Sequence, residues 1–290
     1  MRLIGIVNVT PDSFSDGGLY LDADAAIAHG LELIAEGAEV LDVGGESTRP
    51  GAEAVDANEE RRRTEPVVRA LAGAGHAVSI DTSKASVAEA ALDAGARIVN
   101  DVTAFRGDPD LAGLCAERRC EVVLMHMLGT PRTMQDDPRY DDVVLDVKAF
   151  LAERIERAVA AGVEEERIWI DPGIGFGKTL AHNLELLRRL GELRDLGRPI
   201  IVGTSRKRFI GTITGREAGE RIGGTVASSV LAVEAGAEAV RVHDVIEVRE
   251  ALSVAEAITR RRAWGTDERM APPRGEAVEV ADRGEPAAPA

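Results

Sequence analysis

Short apolar runs alternate with longer amphipathic stretches along most of this chain. The runs fall at residues 3–9, 40–43, 77–80, 97–100, 121–125, 168–170, 199–202 and 239–242. They are near-continuous rather than alternating, as expected of parallel strands covered on both faces. The stretches between them carry apolar residues at helical spacing. Ile27, Leu31 and Ile34 share one such face, and Leu180, Leu184 and Leu187 another. Val144, Val147, Leu151 and Ile155 form a third, and Val245, Val248, Leu252 and Ala255 a fourth. Gly37, Gly95, Gly162 and Gly236 each stand just before a new strand, where glycine ends a helix in the left-handed region. Eight strand–helix units in roughly 260 residues predict a (β/α)8 TIM barrel over residues 1–262, with a doubly wound open sheet as the alternative. After Arg260-Arg261-Arg262 the pattern stops. Residues 263–290 hold four of the chain's 12 prolines and little apolar content, which reads as a disordered tail.

Composition narrows the function. The chain has 290 residues, 44% hydrophobic and 29% charged, an ordinary soluble balance. No apolar run is long enough for a membrane span. Met1-Arg2-Leu3 leads directly into a strand, without a signal peptide, so a cytoplasmic location is expected. Cys115 and Cys120 match neither zinc nor thioredoxin spacing and read as structural thiols in a reducing compartment. A net charge of −15 argues against nucleic acid or an anionic membrane as partner. It also makes any local cluster of cations informative, because the protein as a whole repels an anionic substrate.

In a parallel barrel the site lies at the carboxyl ends of the strands. Two groups of residues collect there. Asp81, Asn100 and Asp171 are short polar acceptors suited to a ligand edge rich in N–H donors, such as an aminopyrimidine ring. Burying carboxylates without partners is costly, so the group implies a ligand or a cation. Arg49, Lys207, Arg241 and His243 are cationic and suit phosphate or carboxylate oxygens. Asn8 could place Mg²⁺ between such oxygens, since Mg²⁺ takes few protein ligands alongside substrate phosphates. Blander readings compete for individual residues. Asp42 and Asp101 read equally well as caps of the following helices, His126 as a core histidine, Lys84 and Arg206 as solvated, and Lys178 as a surface residue. Asp171-Pro172-Gly173-Ile174-Gly175-Phe176-Gly177-Lys178-Thr179 comes within one residue of a P-loop, but the first glycine it needs falls at Pro172. No nucleophile elbow and no His-Glu-x-x-His motif occurs, so the site reads as one that orients two ligands and stabilises a departing anion.

The blocks Asn8 to Gly18, Gly44 to Gly51, Ser79 to Thr82, Asn100 to Val102, Asp171 to Lys178, Ser205 to Arg208 and Arg241 to Asp244 together resemble the dihydropteroate synthase family of folate biosynthesis, the target of sulfonamides. They occur in the family's order. The resemblance implies a transferase that condenses 6-hydroxymethyl-7,8-dihydropterin diphosphate with 4-aminobenzoate, releasing pyrophosphate, by a route in which the diphosphate leaves first. It implies that Asp81, Lys207, Arg241 and His243 carry the chemistry. Asp81, Asn100, Asp171 and Lys207 would bind the pterin in a slot lined by Met125, Phe176 and Gly203. Asn8 with Mg²⁺, Arg49, Arg241 and His243 would hold the diphosphate. Thr48, Arg49, Pro50, Phe176, Ser205 and Lys207 would border the aminobenzoate. A homodimer and two loops closing over the site, 10–20 and 44–54, are implied as well. A pterin-dependent methyltransferase barrel and an inactive pterin-binding paralogue are the other readings.

Overall fold

The computed structural model describes residues 1–10, 23–48 and 51–259. Most of the first predicted loop, Arg49 and Pro50, and the tail expected at 263–290 lie outside the described residues. Eight strands are found: β1 (Arg2–Asn8), β2 (Val40–Gly44), β3 (Ala77–Asp81), β4 (Ile98–Asp101), β5 (Glu121–Met125), β6 (Ile168–Asp171), β7 (Ile201–Val202) and β8 (Ala239–Val242). The helices between them are α1 (Ala23–Glu36), α2 (Ala57–Gly73), α3 (Ala85–Asp93), α4 (Leu111–Arg118), α5 (Val143–Ala160), α6 (Leu180–Arg188), α7 (Arg208–Thr214), α8 (Ile222–Glu234) and α9 (Val245–Thr259). The strand order is β6-β5-β4-β3-β2-β1-β8-β7, and the paired strands run parallel. A bridge between Ile170 and Ile200 and a bond from the Ile170 N–H to the Pro199 carbonyl (3.0 Å) bring β6 to β7 and nearly close the barrel. The open sheet is thereby ruled out. β7 is two residues long rather than the four expected, because Pro199 has no N–H to donate and offers only its carbonyl to the ladder.

Strand periodicity of two sorts the inside from the outside. Ile4, Val40, Ile98, Val123, Trp169, Ile201 and Ala239 pack together on the barrel axis. Leu41, Val43, Val78, Ile80, Val99, Val122, Ile168, Ile170, Val240 and Val242 point outward to the helices and are buried there. Two residues on from the inward apolar belt, on the same parity, stand Asp42, Asn100, Asp171, Gly203 and Arg241, with Asp81 two residues beyond Ser79. Below the belt, Arg2 donates to Glu121 (2.7 Å), lies 4.8 Å over the Trp169 ring, and shares the Glu121 carboxylate with the indole N–H (2.9 Å). The floor of the barrel is thus built from strand side chains.

The helix faces hold in part. All four predicted residues of α5 are buried, as are Val245, Val248 and Leu252 of α9. On α1 the buried stripe is Ala26, Gly30 and Leu33, while Leu31 is exposed. Small residues let that helix approach α2 closely: a side chain at Gly30 would meet Leu71 at 3.0 Å. On α6 the buried residues are Asn183 and Leu186, and Leu180, in the first turn, is at the surface. The helix-ending glycines Gly37, Gly95, Gly162 and Gly236 all have positive φ, as expected.

Ile170 is fully buried between β6 and the helices, beside the single bridge that closes the barrel. Ile170→Ala is expected to cost about 3 kcal/mol through lost transfer energy and a residual cavity. Urea unfolding checks this: the midpoint falls while the slope stays at the wild-type value.

Candidate active site

The polar residues above the apolar belt meet on the barrel axis. The Arg241 guanidinium bridges two carboxylates, with Nε donating to Asp42 and Nη2 donating to Asp81 at 2.9 Å. Asn100 Nδ2 also donates to Asp42, at 3.0 Å. Asp171 accepts from the Gly173 N–H at 2.7 Å. Lys207 donates to the Ile174 carbonyl and stands 4.7 Å from the centre of the Phe176 ring. One cavity is lined by Asp42, Asn100, Asp171 and Arg241 at its upper end and by the apolar belt below. Asp81, Asn100 and Asp171 are therefore brought together, with Arg241 and Lys207 among them.

Burial sets the protonation chemistry. It pushes Asp81 up to about 7, against the opposing pull of Arg241. It raises Asp171 as well, with Lys207 pulling the other way. Lys207 is lowered to about 8 by burial, partly offset by Asp171. For Arg241 burial works against the charge, but Asp42 and Asp81 outweigh it and hold the group above its ordinary value. The site is thus a nest of charges, each dependent on the others.

Around this nest lie the remaining predicted residues. Met125 packs with Val102, Met127 and Met134, and Phe176 closes against them, giving an apolar wall. Gly203 lies beside both cations: a Cβ there would make ordinary van der Waals contact with Lys207 Nζ at 3.7 Å and with Arg241 Cβ at 3.9 Å. Ser205 Oγ accepts the His243 backbone N–H (3.1 Å) and pairs with His243 Nδ1 (2.9 Å). Asn8 ends β1 opposite Gly44, on the inward parity. Thr48 lies on the loop after β2, next to the undescribed Arg49 and Pro50.

Five readings from sequence are corrected. Asp42 caps no helix; it lies on the inward parity, fully buried, as a partner of Arg241. Asp101 has the outward parity and holds its own turn, accepting from Thr103 N, Thr103 Oγ1 and Phe105 N. Lys84 is only partly solvated. It pairs with Glu46 and with Glu60, which is fully buried, and so ties the start of the second loop to α2. Arg206 is not free either: it forks onto buried Asp244, at a positive φ of 55°. Lys178 is buried rather than exposed, bonded to His126 Nδ1 at 2.8 Å. His126 is the core residue expected, edge-on to Phe150 at 4.8 Å. Strand parity was the available signal for Asp42 and Asp101. Lys84, Arg206 and Lys178 gave none, since their partners come from distant parts of the chain.

Known proteins resemble this chain over most of its length. Residues 4–243 match the pterin binding enzyme family. The chain is 50% identical over 261 residues to the dihydropteroate synthase of Mycobacterium leprae, covering 88% of this chain and 92% of the relative. The solved Xanthomonas albilineans dihydropteroate synthase with 4-aminobenzoic acid superposes with a TM-score of 0.85 at 50% identity, covering 90% of this chain and 94% of that one. The same organism's enzyme in complex with 7,8-dihydropteroate gives 0.82 at 47% identity, with the same coverage of both chains.

Burial raises the folded-state value of Asp81 from its ordinary 3.8 to about 7, so across that range the folded protein holds the proton more readily than the unfolded chain. Stability contributed by that proton is complete below the unfolded value and is lost as pH rises through the folded one. Asp81→Asn removes the titration. Its melting temperature is expected to decline less across that window than the wild-type value, as measured by calorimetry at a series of pH values. A decline as steep as wild type would assign the effect to another group.

Proposed function

The chain belongs to the dihydropteroate synthase family of pterin-binding enzymes, and on that premise we propose that its barrel mouth condenses 6-hydroxymethyl-7,8-dihydropterin diphosphate with 4-aminobenzoate. The observation that carries this is the convergence of Asp81, Asn100 and Asp171 beside Arg241 and Lys207, under the wall formed by Met125 and Phe176. Three inward acceptors match the N–H edge of an aminopyrimidine, and the apolar wall matches its face. The carboxylates lie where positive charge develops as the diphosphate departs.

In the proposed sequence the pterin N–H groups take Asp81 and Asp171. Arg241 then exchanges Asp81 for the diphosphate while its Nε stays on Asp42, so the guanidinium remains oriented through the exchange. The C–O bond breaks and its electron pair leaves with the pyrophosphate, held by Arg241 and His243 and, as the family resemblance implies, by Arg49. The aminobenzoate nitrogen then attacks the pterin carbon, forms the C–N bond and loses a proton. Thr48, Pro50, Ser205, Lys207 and Phe176 border that second substrate.

Mg²⁺ is part of the proposal. Among the described residues no cluster of three or more His, Cys, Asp or Glu could hold a metal ion. The donor that fits is the Asn8 amide, a neutral hard oxygen at the inward end of β1. Asn8 would hold Mg²⁺ as its one protein ligand, which suits an ion that takes few protein ligands alongside substrate phosphates. The ion would neutralise charge on the leaving group.

Pairing of two copies belongs to the same reading. Leu231 on α8, and Val254 and Ile258 on the adjacent α9, are large aliphatic residues at the surface. No helix among the described residues is long and apolar enough to cross a membrane. Light scattering is expected to give twice the chain mass for the wild type and a shift toward the single-chain mass for Leu231→Asp.

Purified protein is expected to release pyrophosphate and form dihydropteroate only with the pterin diphosphate, 4-aminobenzoate and Mg²⁺ together, and to stop on chelation. Asp81→Ala is expected to abolish calorimetric binding of the pterin diphosphate. Pterin binding that persists in that variant would remove Asp81 from the assignment. Tight pterin binding by the wild type without any turnover would favour the inactive paralogue.

A further inference from the structure

The glycine loop after β6 is held from outside. Four consecutive backbone carbonyls are each taken by a side chain: Gly175 by Gln135 Nε2 (2.7 Å), Phe176 by Lys178 Nζ (3.0 Å), Gly177 by the Tyr140 hydroxyl (2.7 Å) and Lys178 by Asn183 Nδ2 (3.4 Å). The loop also lies directly on the segment after β5. Gly173, at φ 67°, has no room for a side chain, since a Cβ would lie 1.9 Å from the His126 carbonyl oxygen. Among these holds, Lys178 is the one that acts on Phe176 itself. Its amine also reaches His126 Nδ1 at 2.8 Å, and His126 is fixed in turn against Phe150 and Tyr140. Phe176 extends from this clamp to lie 4.7 Å from Lys207 Nζ.

We propose that Lys178 is a positioning residue for the second substrate: by spanning the Phe176 carbonyl and His126 Nδ1, it fixes the Phe176 ring over Lys207 and so sets the face against which the aminobenzoate ring lies. The proposal rests on the dihydropteroate synthase reading of the site. Lys178 itself is buried beneath the loop, with its amine on the Phe176 carbonyl and His126.

The chemistry of the pair supports a fixed strut rather than a mobile charge. An amine carries N–H whether or not it is charged, so Lys178 donates to the Phe176 carbonyl and pairs with His126 Nδ1. Burial, and then the neighbouring Lys178, hold the imidazole at about 2, so it stays a neutral acceptor throughout the working range. Burial lowers the Lys178 amine well below the ordinary lysine value. Lysine is long enough to cross from the end of the loop back to its own Phe176 carbonyl while remaining enclosed. Methionine matches its bulk without donating.

Lys178→Met is the test. The KM for 4-aminobenzoate is expected to rise roughly tenfold, the effect of one lost hydrogen bond in an enclosed site, while the calorimetric affinity for the pterin diphosphate stays within about twofold. His126→Phe removes the acceptor and is expected to raise the same KM, and His126→Gln, which keeps an acceptor oxygen, to restore it. The Lys178→Met, His126→Phe double variant is expected to be no worse than the poorer single one, because both changes cut the same strut. A lowered melting temperature with an unchanged aminobenzoate KM would show a merely structural lysine and overturn the proposal. A second readout needs no turnover. In phenylalanine-labelled protein, the Phe176 ring resonance, assigned with Phe176→Leu, is expected to shift and broaden in Lys178→Met. An unmoved resonance would overturn the proposal whatever the assay gives. This NMR response in Lys178→Met, found together with a wild type that makes no dihydropteroate, would instead count against the functional reading alone.

Discussion

Charge neutralisation on the barrel axis is the constraint to which the site answers. Asp42, Asp81 and Asp171 are buried on inward-facing strand positions, where an unpaired carboxylate would be costly. Arg241 satisfies two of them with one guanidinium, and Lys207 and the Gly173 N–H attend the third. The arrangement is poised rather than finished. Arg241 is committed to Asp81 until another group supplies donors to that carboxylate, the exchange on which the proposed function rests.

The loops obey a different rule. Around the axis, charge decides; above it, backbone hydrogen bonds decide. The segment after β6 carries three glycines at positive φ and would be loose by itself. Gln135, Tyr140, Asn183 and Lys178 remove that looseness by taking its carbonyls. On the opposite side, Lys84 joins Glu46 to Glu60 and anchors the start of the loop that follows β2. Binding residues thus stand on loops whose bases are pinned to the rigid barrel, the usual way such scaffolds combine precision with adaptable chemistry.

The barrel was legible in the sequence because its evidence is local. Eight apolar runs, the intervening helical faces and the helix-ending glycines all lie within short windows. The axial acceptors Asp81, Asn100 and Asp171 were legible for the same reason, each standing at a strand end. What failed needed distance or direction. Leu31 and Leu180 have the right spacing, but small neighbours and helix-end position shifted the buried stripe to Gly30 with Leu33, and to Asn183 with Leu186. Asp42 and Asp101 look alike in sequence, and only counting parity from the apolar belt separates the partner of Arg241 from the holder of a turn. Lys178 was hidden most completely. A lysine following a glycine loop reads as an exposed cation or the remnant of a phosphate loop, and its true partner, His126, lies 52 residues away.

The belt formed by Ile4, Val40, Ile98, Val123, Ile201 and Ala239 does more than fill space. It is a slab of low polarizability between two ionic layers, the Arg2–Glu121 pair beneath and the carboxylate nest above. Field lines from the nest cannot spread downward through such a slab and are turned toward the open end. A molecule approaching from solvent therefore meets a directed potential, a lens rather than a diffuse cloud.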